Sequence, residues 1–378
     1  MGRQGLLALA AAALLCTVLG SVHAFSVFLE PLEARFEVSR ATASLTYSFA
    51  LVALTVVVLL GPQIYARFSA TTILGTAAVL AALGAGFAAA GPTIGMIWLG
   101  YSLLFGAANG LGYGYGLQLA AHANPGREGL AMGTVTASYA VGATLAPLAF
   151  VAALEAGGFP LAMTGLACCL LLAGLGAVGL LRRTGLALPV SAPTTGTPKT
   201  KANIPIIWFA YGTGVFAGLM IIGHAAEIAR TGEQAALWLA PVLIALFNMA
   251  GSLIAGSLVD RLPSKGLLIA IPLAGAGGVL LALGSDTTVL PALAIVGFCY
   301  GALIATYPAV LAKRFGMAEG PRIYGRVFTA WGVAGLAGPW LAGALFDATG
   351  TYTPALWTAA ALAITSAVVA GTAMQRTL

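Results

Sequence analysis

Apolar residues run along this chain in long continuous blocks, and short polar clusters interrupt them at nearly regular intervals. The blocks lie near 5–29, 40–60, 71–90, 94–118, 129–153, 160–181, 204–229, 235–258, 266–284, 288–312, 324–346 and 353–375. Most are close to the ~20 residues a helix needs to cross a hydrocarbon core. Inside a block the apolar positions do not alternate, as they would in the ten-residue strands of a membrane barrel. The pattern therefore predicts an all-α membrane protein with twelve transmembrane helices. The one sizeable polar stretch, 183–203, carries Pro189, Pro193, Pro198 and several threonines. It divides the chain into two six-helix bundles, 1–182 and 204–378, joined by a cytoplasmic linker.

Composition agrees with the pattern. Of 378 residues, 60% are hydrophobic and 7% charged, with a mean hydropathy of +0.98. A water-soluble domain carries about 25% charged residues, so lipid must be the solvent for most of this chain. The formal charge of +6 does not point to a nucleic-acid partner, because the basic residues are distributed by topology. With both termini in the cytoplasm, fourteen of the 17 Lys and Arg residues fall on the cytoplasmic side, the side basic residues favour. Arg35, Arg40 and Arg230 are the exceptions. Missing or adding one span would scramble that partition, so the count and the orientation in the plasma membrane support each other.

The first span imitates a secretory signal, with Arg3, an apolar run and small residues around Ala24. Cleavage there would leave eleven spans and remove one member of the repeat described next, so it is retained as a span. The four cysteines, Cys16, Cys168, Cys169 and Cys299, all lie inside apolar runs and read as packing residues rather than as a disulfide framework or metal site.

The two halves echo one another at separations of about 190–200 residues. Gly133, Tyr139 and Pro147 match Gly325, Trp331 and Pro339 at one shared offset. Gly112-Tyr-Gly114 returns in part as Tyr300-Gly301, Gly61 and Arg67 as Gly256 and Arg261, and His23 as His224. Parallel repeats of this kind mark transporters that handle substrate near the bilayer midplane. Glycine-rich faces in the fourth, fifth and eleventh spans let helices approach closely.

On these residues the chain resembles the major facilitator superfamily along its whole length. Gly256-Ser-Leu-Val-Asp-Arg261 is similar to that superfamily's cytoplasmic loop motif, and the first-half counterpart, 61–68, has Tyr65 where an acid is usual. The resemblance implies gating roles for Asp260 and Arg261. A narrower resemblance, to the oxalate:formate antiporter and monocarboxylate transporter branch, rests on 24–28 (Ala-Phe-Ser-Val-Phe), the glycine/tyrosine pattern 110–116, and Tyr324-Gly-Arg-Val-Phe-Thr-Ala-Trp331. Dicarboxylate carriers of that branch place an Arg in span 8 and a Lys in span 11. Here those positions align with Ser252 and Trp331, which points away from doubly charged substrates.

Polar groups at membrane depth are costly and mark functional sites by default. No Lys, Arg or Asp stands midspan, so a dianion would be desolvated without a partner cation. A neutral solute, or a monoanion accompanied by a proton, fits better. His23 and His224 can hydrogen-bond a carboxylate or relay a proton, or serve as satisfied interfacial residues. Glu227, one helical turn beyond His224, is the proton-coupling candidate, or else a solvated rim residue. Asn109, Gln118, Asn248 and Ser252 can bond substrate or tie helices together. Tyr113, Tyr115, Tyr139, Tyr300, Phe328 and Trp331 offer a ring wall suited to a small, partly apolar solute, with ordinary packing as the alternative for any one of them. The expectation is a monomeric secondary transporter in the lipid bilayer, moving a monocarboxylate or similar weak organic acid by alternating access, with protons as the candidate coupling ion. Efflux of hydrophobic compounds is the alternative. No nucleophile elbow, zinc motif, phosphate loop or Cys/His cluster suggests an enzyme, a cofactor or a metal.

Overall fold

The computed structural model describes residues 2–65, 67–125, 127–184, 203–230, 238–259 and 261–376. These are helical throughout, with no strand among the described residues. The order is α1 (Arg3–Leu19), a 3₁₀ segment (Gly20–Phe28), α2 (Leu29–Phe36), α3 (Arg40–Tyr65), α4 (Ala70–Ala90), α5 (Ile94–Ile97), a π-helical segment (Trp98–Phe105), α6 (Gly106–Ala123) and α7 (Glu128–Arg182). Then follow α8 (Ile204–Ile222), α9 (Ala225–Ile228), α10 (Leu239–Leu258), α11 (Ser264–Leu281), α12 (Asp286–Thr349) and α13 (Thr353–Arg376).

Eleven stretches among the described residues are long and apolar enough to span a membrane. One of them, Ala131–Arg182, holds two crossings. Its 52 residues would extend about 78 Å at ~1.5 Å per residue, far beyond a ~30 Å hydrocarbon core. The chain turns back at Gly157 and Gly158, where Gly158 takes φ 69° and Pro160 follows. Glycine reaches that left-handed conformation without the steric cost a side chain would bring. In α12 the crossings are Asp286–Leu311 and Ile323–Thr349, and they fold against each other. Trp331 donates to the Tyr300 hydroxyl at 2.7 Å, although 31 residues of straight helix would hold them roughly 46 Å apart. Twelve crossings result, as the hydrophobic blocks predict.

Polar interruptions become helix ends for local reasons. The Ser69 hydroxyl accepts the Thr72 N–H to start α4, and Thr93 caps α5 in the same way. Ser285 and Thr288 form a reciprocal capping box at the start of α12.

Two compact units emerge, Met1–Val38 with Phe49–Thr194, and Ser39–Ser48 with Thr195–Leu378. In the first, α1 packs on α6 and α7, and α4 on α7. In the second, α12 packs on α8 and α10, and α13 on α8 and α11. A boundary drawn in the polar linker does not anticipate that the first turns of α3 join the second unit. The Asp347 carboxylate supplies part of the reason, accepting the Arg40 and Ala41 N–H groups at 2.9 and 2.8 Å. Those donors are unsatisfied at any helix start, and a carboxylate there also meets the positive end of the helix dipole.

Close backbone approach sets the helix crossings. A Cβ at Gly142 would collide with the Thr17 carbonyl, where α7 crosses α1, and one at Gly301 would collide with the Asn248 carbonyl, where α12 crosses α10.

Candidate functional site

In the first unit, predicted residues converge on one cluster. A 3₁₀ helix repeats every three residues, so Gly20, His23 and Ser26 share an edge. Gly20 rests on the Tyr139 backbone, which brings the His23 ring edge-on to the Tyr139 ring at 5.7 Å. On α6, Asn109 and Tyr113 stand four residues apart and so share a face. The Tyr113 ring lies 4.7 Å from that of Tyr139. The Tyr139 hydroxyl donates to Asn109 Oδ1 at 2.9 Å, and Asn109 Nδ2 donates to the Leu19 carbonyl at 2.6 Å. Tyr139 has thereby committed its proton, and its phenolic oxygen presents an acceptor. Tyr115 lies apart from this group, packed on Tyr65 at 5.0 Å, and Gln118 is exposed.

In the second unit an aromatic series runs along the second half of α12. Phe328 and Trp331 stack at 5.4 Å with their planes 8° apart, and Tyr324 lies 5.7 Å from Phe328. Trp331 Nε1 donates to Tyr300, whose ring rests against Gly218 of α8. A hydroxyl that accepts is strengthened as a donor. Tyr139 and Trp331 occupy corresponding positions in the sequence repeat, and each bonds to a residue of the preceding crossing in its own unit. Asn248 and Ser252 sit where α10 meets α12, and Ser252 donates to the Gly301 carbonyl at 3.0 Å. Ser252 thereby ties α10 to α12.

His224 and Glu227 take a different place from the aromatic groups. His224 is fully buried, with Nε2 2.7 Å from the Pro339 carbonyl and Nδ1 3.0 Å from the Tyr352 hydroxyl. Its sequence equivalence to His23 does not carry over into its surroundings. The Glu227 side chain is only 6% exposed, paired with Arg40 at 3.2 Å and Arg230 at 3.6 Å. Arg40 also donates to the Tyr352 hydroxyl at 2.8 Å and lies 4.5 Å over the Phe346 ring. Arg40, Asp347 and Tyr352 were not singled out by sequence. The available signal was the charge pattern, since Arg40 and Arg230 are two of its three outer exceptions. The third, Arg35, donates to the Gly91 carbonyl at 3.0 Å. Arg261 is exposed, and Asp260 lies outside the described residues, as does most of the 183–203 linker.

Residues 209–377 match the family model of the Major Facilitator Superfamily. A curated relative, the "Uncharacterized MFS-type transporter YhjX" of Escherichia coli (strain K12), is 23% identical over 331 residues, covering 84% of this chain and 82% of the relative. The inward-open xylose transporter XylE from E. coli superposes with a TM-score of 0.73 at 15% identity, over 95% of this chain and 94% of that one. A bacterial homolog of the human lysosomal transporter Spinster, inward-facing and unoccupied, gives 0.68 at 16% identity, over 100% and 94%.

Proposed function

We propose, on the premise that the chain is a transporter of the major facilitator superfamily, that it carries a small monocarboxylate or similar weak organic acid, together with a proton, across the plasma membrane by alternating access. The premise is supported by the family model over the C-terminal half and by the fold of the full chain. The observation that carries the substrate reading is the chemistry of the two clusters. Both are aromatic walls tipped with neutral hydrogen-bonding groups, and none of the residues described in them is Lys or Arg. The committed Tyr139 oxygen suits the O–H of a protonated acid. Ser252 and Trp331 stand where dicarboxylate carriers of the resembled branch have cations, and both are engaged with neutral partners. A dianion bound here would bear several kcal/mol of uncompensated desolvation per charge, whereas a protonated monoacid bears none.

Uptake of labelled lactate-sized monocarboxylates into proteoliposomes tests this, with and without an inward proton gradient. Accumulation that requires the gradient is expected. Export of lipophilic dyes without movement of any carboxylate would overturn the reading in favour of efflux.

A further inference from the structure

The hydrogen bonds around His224 and Glu227 have a definite direction. The Pro339 carbonyl can only accept, so His224 Nε2 carries a proton, and in the neutral ring Nδ1 must accept. Tyr352 therefore donates its O–H to His224 Nδ1 while its oxygen receives the Arg40 N–H. A single relay runs from Arg40 through Tyr352 and His224 to the Pro339 carbonyl. Beside it, the Glu227 carboxylate takes the Arg40 and Arg230 guanidiniums, and the Asp347 carboxylate takes the backbone N–H groups at the start of α3. Arg40, Glu227 and His224 are each less than one-tenth exposed.

Among the described residues, the charged and titratable groups meeting here come from three places, while α8 and α10, which also pack on α9, add none. They are Arg40 at the start of α3, His224, Glu227 and Arg230 in and around α9, Asp347 at the end of α12, and Tyr352 beyond it. With Glu227 ionised and His224 neutral, two cations and two carboxylates meet among the described residues, and each of the bonds named above has a donor and an acceptor. A proton on Glu227 removes the carboxylate charge that both guanidiniums meet. A proton on His224 Nδ1 turns that atom into a donor, breaks the relay at Tyr352 and adds a cation beside Arg40. Both protonations oppose the same arrangement.

We infer that this cluster is a proton-binding site that acts as a latch on α3. Deprotonated, it fastens the first turns of α3, Ser39–Ser48, to the second unit, while the rest of that helix belongs to the first. Proton uptake at Glu227 or His224 releases them. The inference does not depend on which solute is carried, because its test contains none.

Spin labels on cysteines at Thr42 and Thr351, in the full chain with its four native cysteines replaced by alanine, report the latch by electron–electron distance measurement. Thr42 is half-buried and Thr351 exposed, and neither side chain bonds to the cluster. A single short distance is expected at about pH 8, with a longer population growing only as the pH falls below the ordinary imidazole range toward about pH 4, because burial opposes a charged imidazole and the neighbouring guanidiniums oppose both protonations. Glu227→Gln should show the longer population already at the higher pH. A pH response that survives Glu227→Gln and vanishes in His224→Gln sustains the site with the proton on the imidazole. A distance distribution unchanged by pH overturns the proposal, and this arm needs no variant of the cluster to fold.

Discussion

The bond between Tyr139 and Asn109 ties stability to the substrate chemistry proposed for this cluster. Asn109 is fully buried, and Oδ1 receives the Tyr139 hydroxyl while Nδ2 is spent on the Leu19 carbonyl. Tyr139→Phe keeps the ring against His23 and Tyr113 but strands that oxygen. A buried acceptor left without its donor costs about 1–3 kcal/mol, whereas removing both partners together can be nearly neutral. Tyr139→Phe should therefore lower the thermal midpoint of the purified protein, and Asn109→Leu added to it should recover much of the loss. A double variant as unstable as the sum of its singles would show that the two side chains are not coupled. On the proposed function, monocarboxylate uptake should stay impaired in the double, since the phenolic oxygen is still missing.

At the scale of the helix, the hydrophobic blocks located all twelve crossings, because length in lipid is set by apolar composition and little else. The 3₁₀ segment Gly20–Phe28 and the π segment Trp98–Phe105 have no such signature. Their hydrogen-bond registers follow from packing, and the first is held where the backbones at Gly20 and Tyr139 touch. The same limit explains the site. Tyr139 and Trp331 were legible as equivalents because their neighbours repeat as well. His23 and His224 diverge because a 3₁₀ edge places one on an aromatic face, while the other follows the end of α8 and meets Tyr352. A pair of glycines separates close approach from mere flexibility. Gly142→Ala drives a methyl into the Thr17 carbonyl, and overpacking of this kind costs about 1–3 kcal/mol. A Cβ at Gly179, also in α7, meets nothing within 4 Å, so Gly179→Ala should gain up to ~1 kcal/mol of helix propensity. Thermal unfolding in one detergent should move in opposite directions for the two variants. Equal shifts would mean that the α1–α7 crossing tolerates separation.

The whole molecule is organised by two charge patterns that share residues. Fourteen basic side chains are assigned to one side of the membrane and three to the other, and each of the three has a buried or stacked partner. Arg35 bonds the Gly91 carbonyl and lies 5.8 Å over the Phe159 ring, while Arg40 and Arg230 both meet Glu227. Three against fourteen leaves the Lys/Arg bias strongly one-sided, and that bias is a count of basic residues rather than of net charge. The orientation this bias implies puts the Gly157–Gly158 turn outside and the turn after α3 inside. Glu155 and Phe68 are both exposed beside those turns and suit single cysteines in a background without the native four. In intact cells a membrane-impermeant maleimide should label Glu155→Cys and spare Phe68→Cys until the membrane is opened. The reverse pattern would invert the topology and place the Arg40–Glu227 cluster on the cytoplasmic side. A proton gradient directed inward would then reach that cluster last rather than first, so this labelling also decides from which compartment the latch can be protonated.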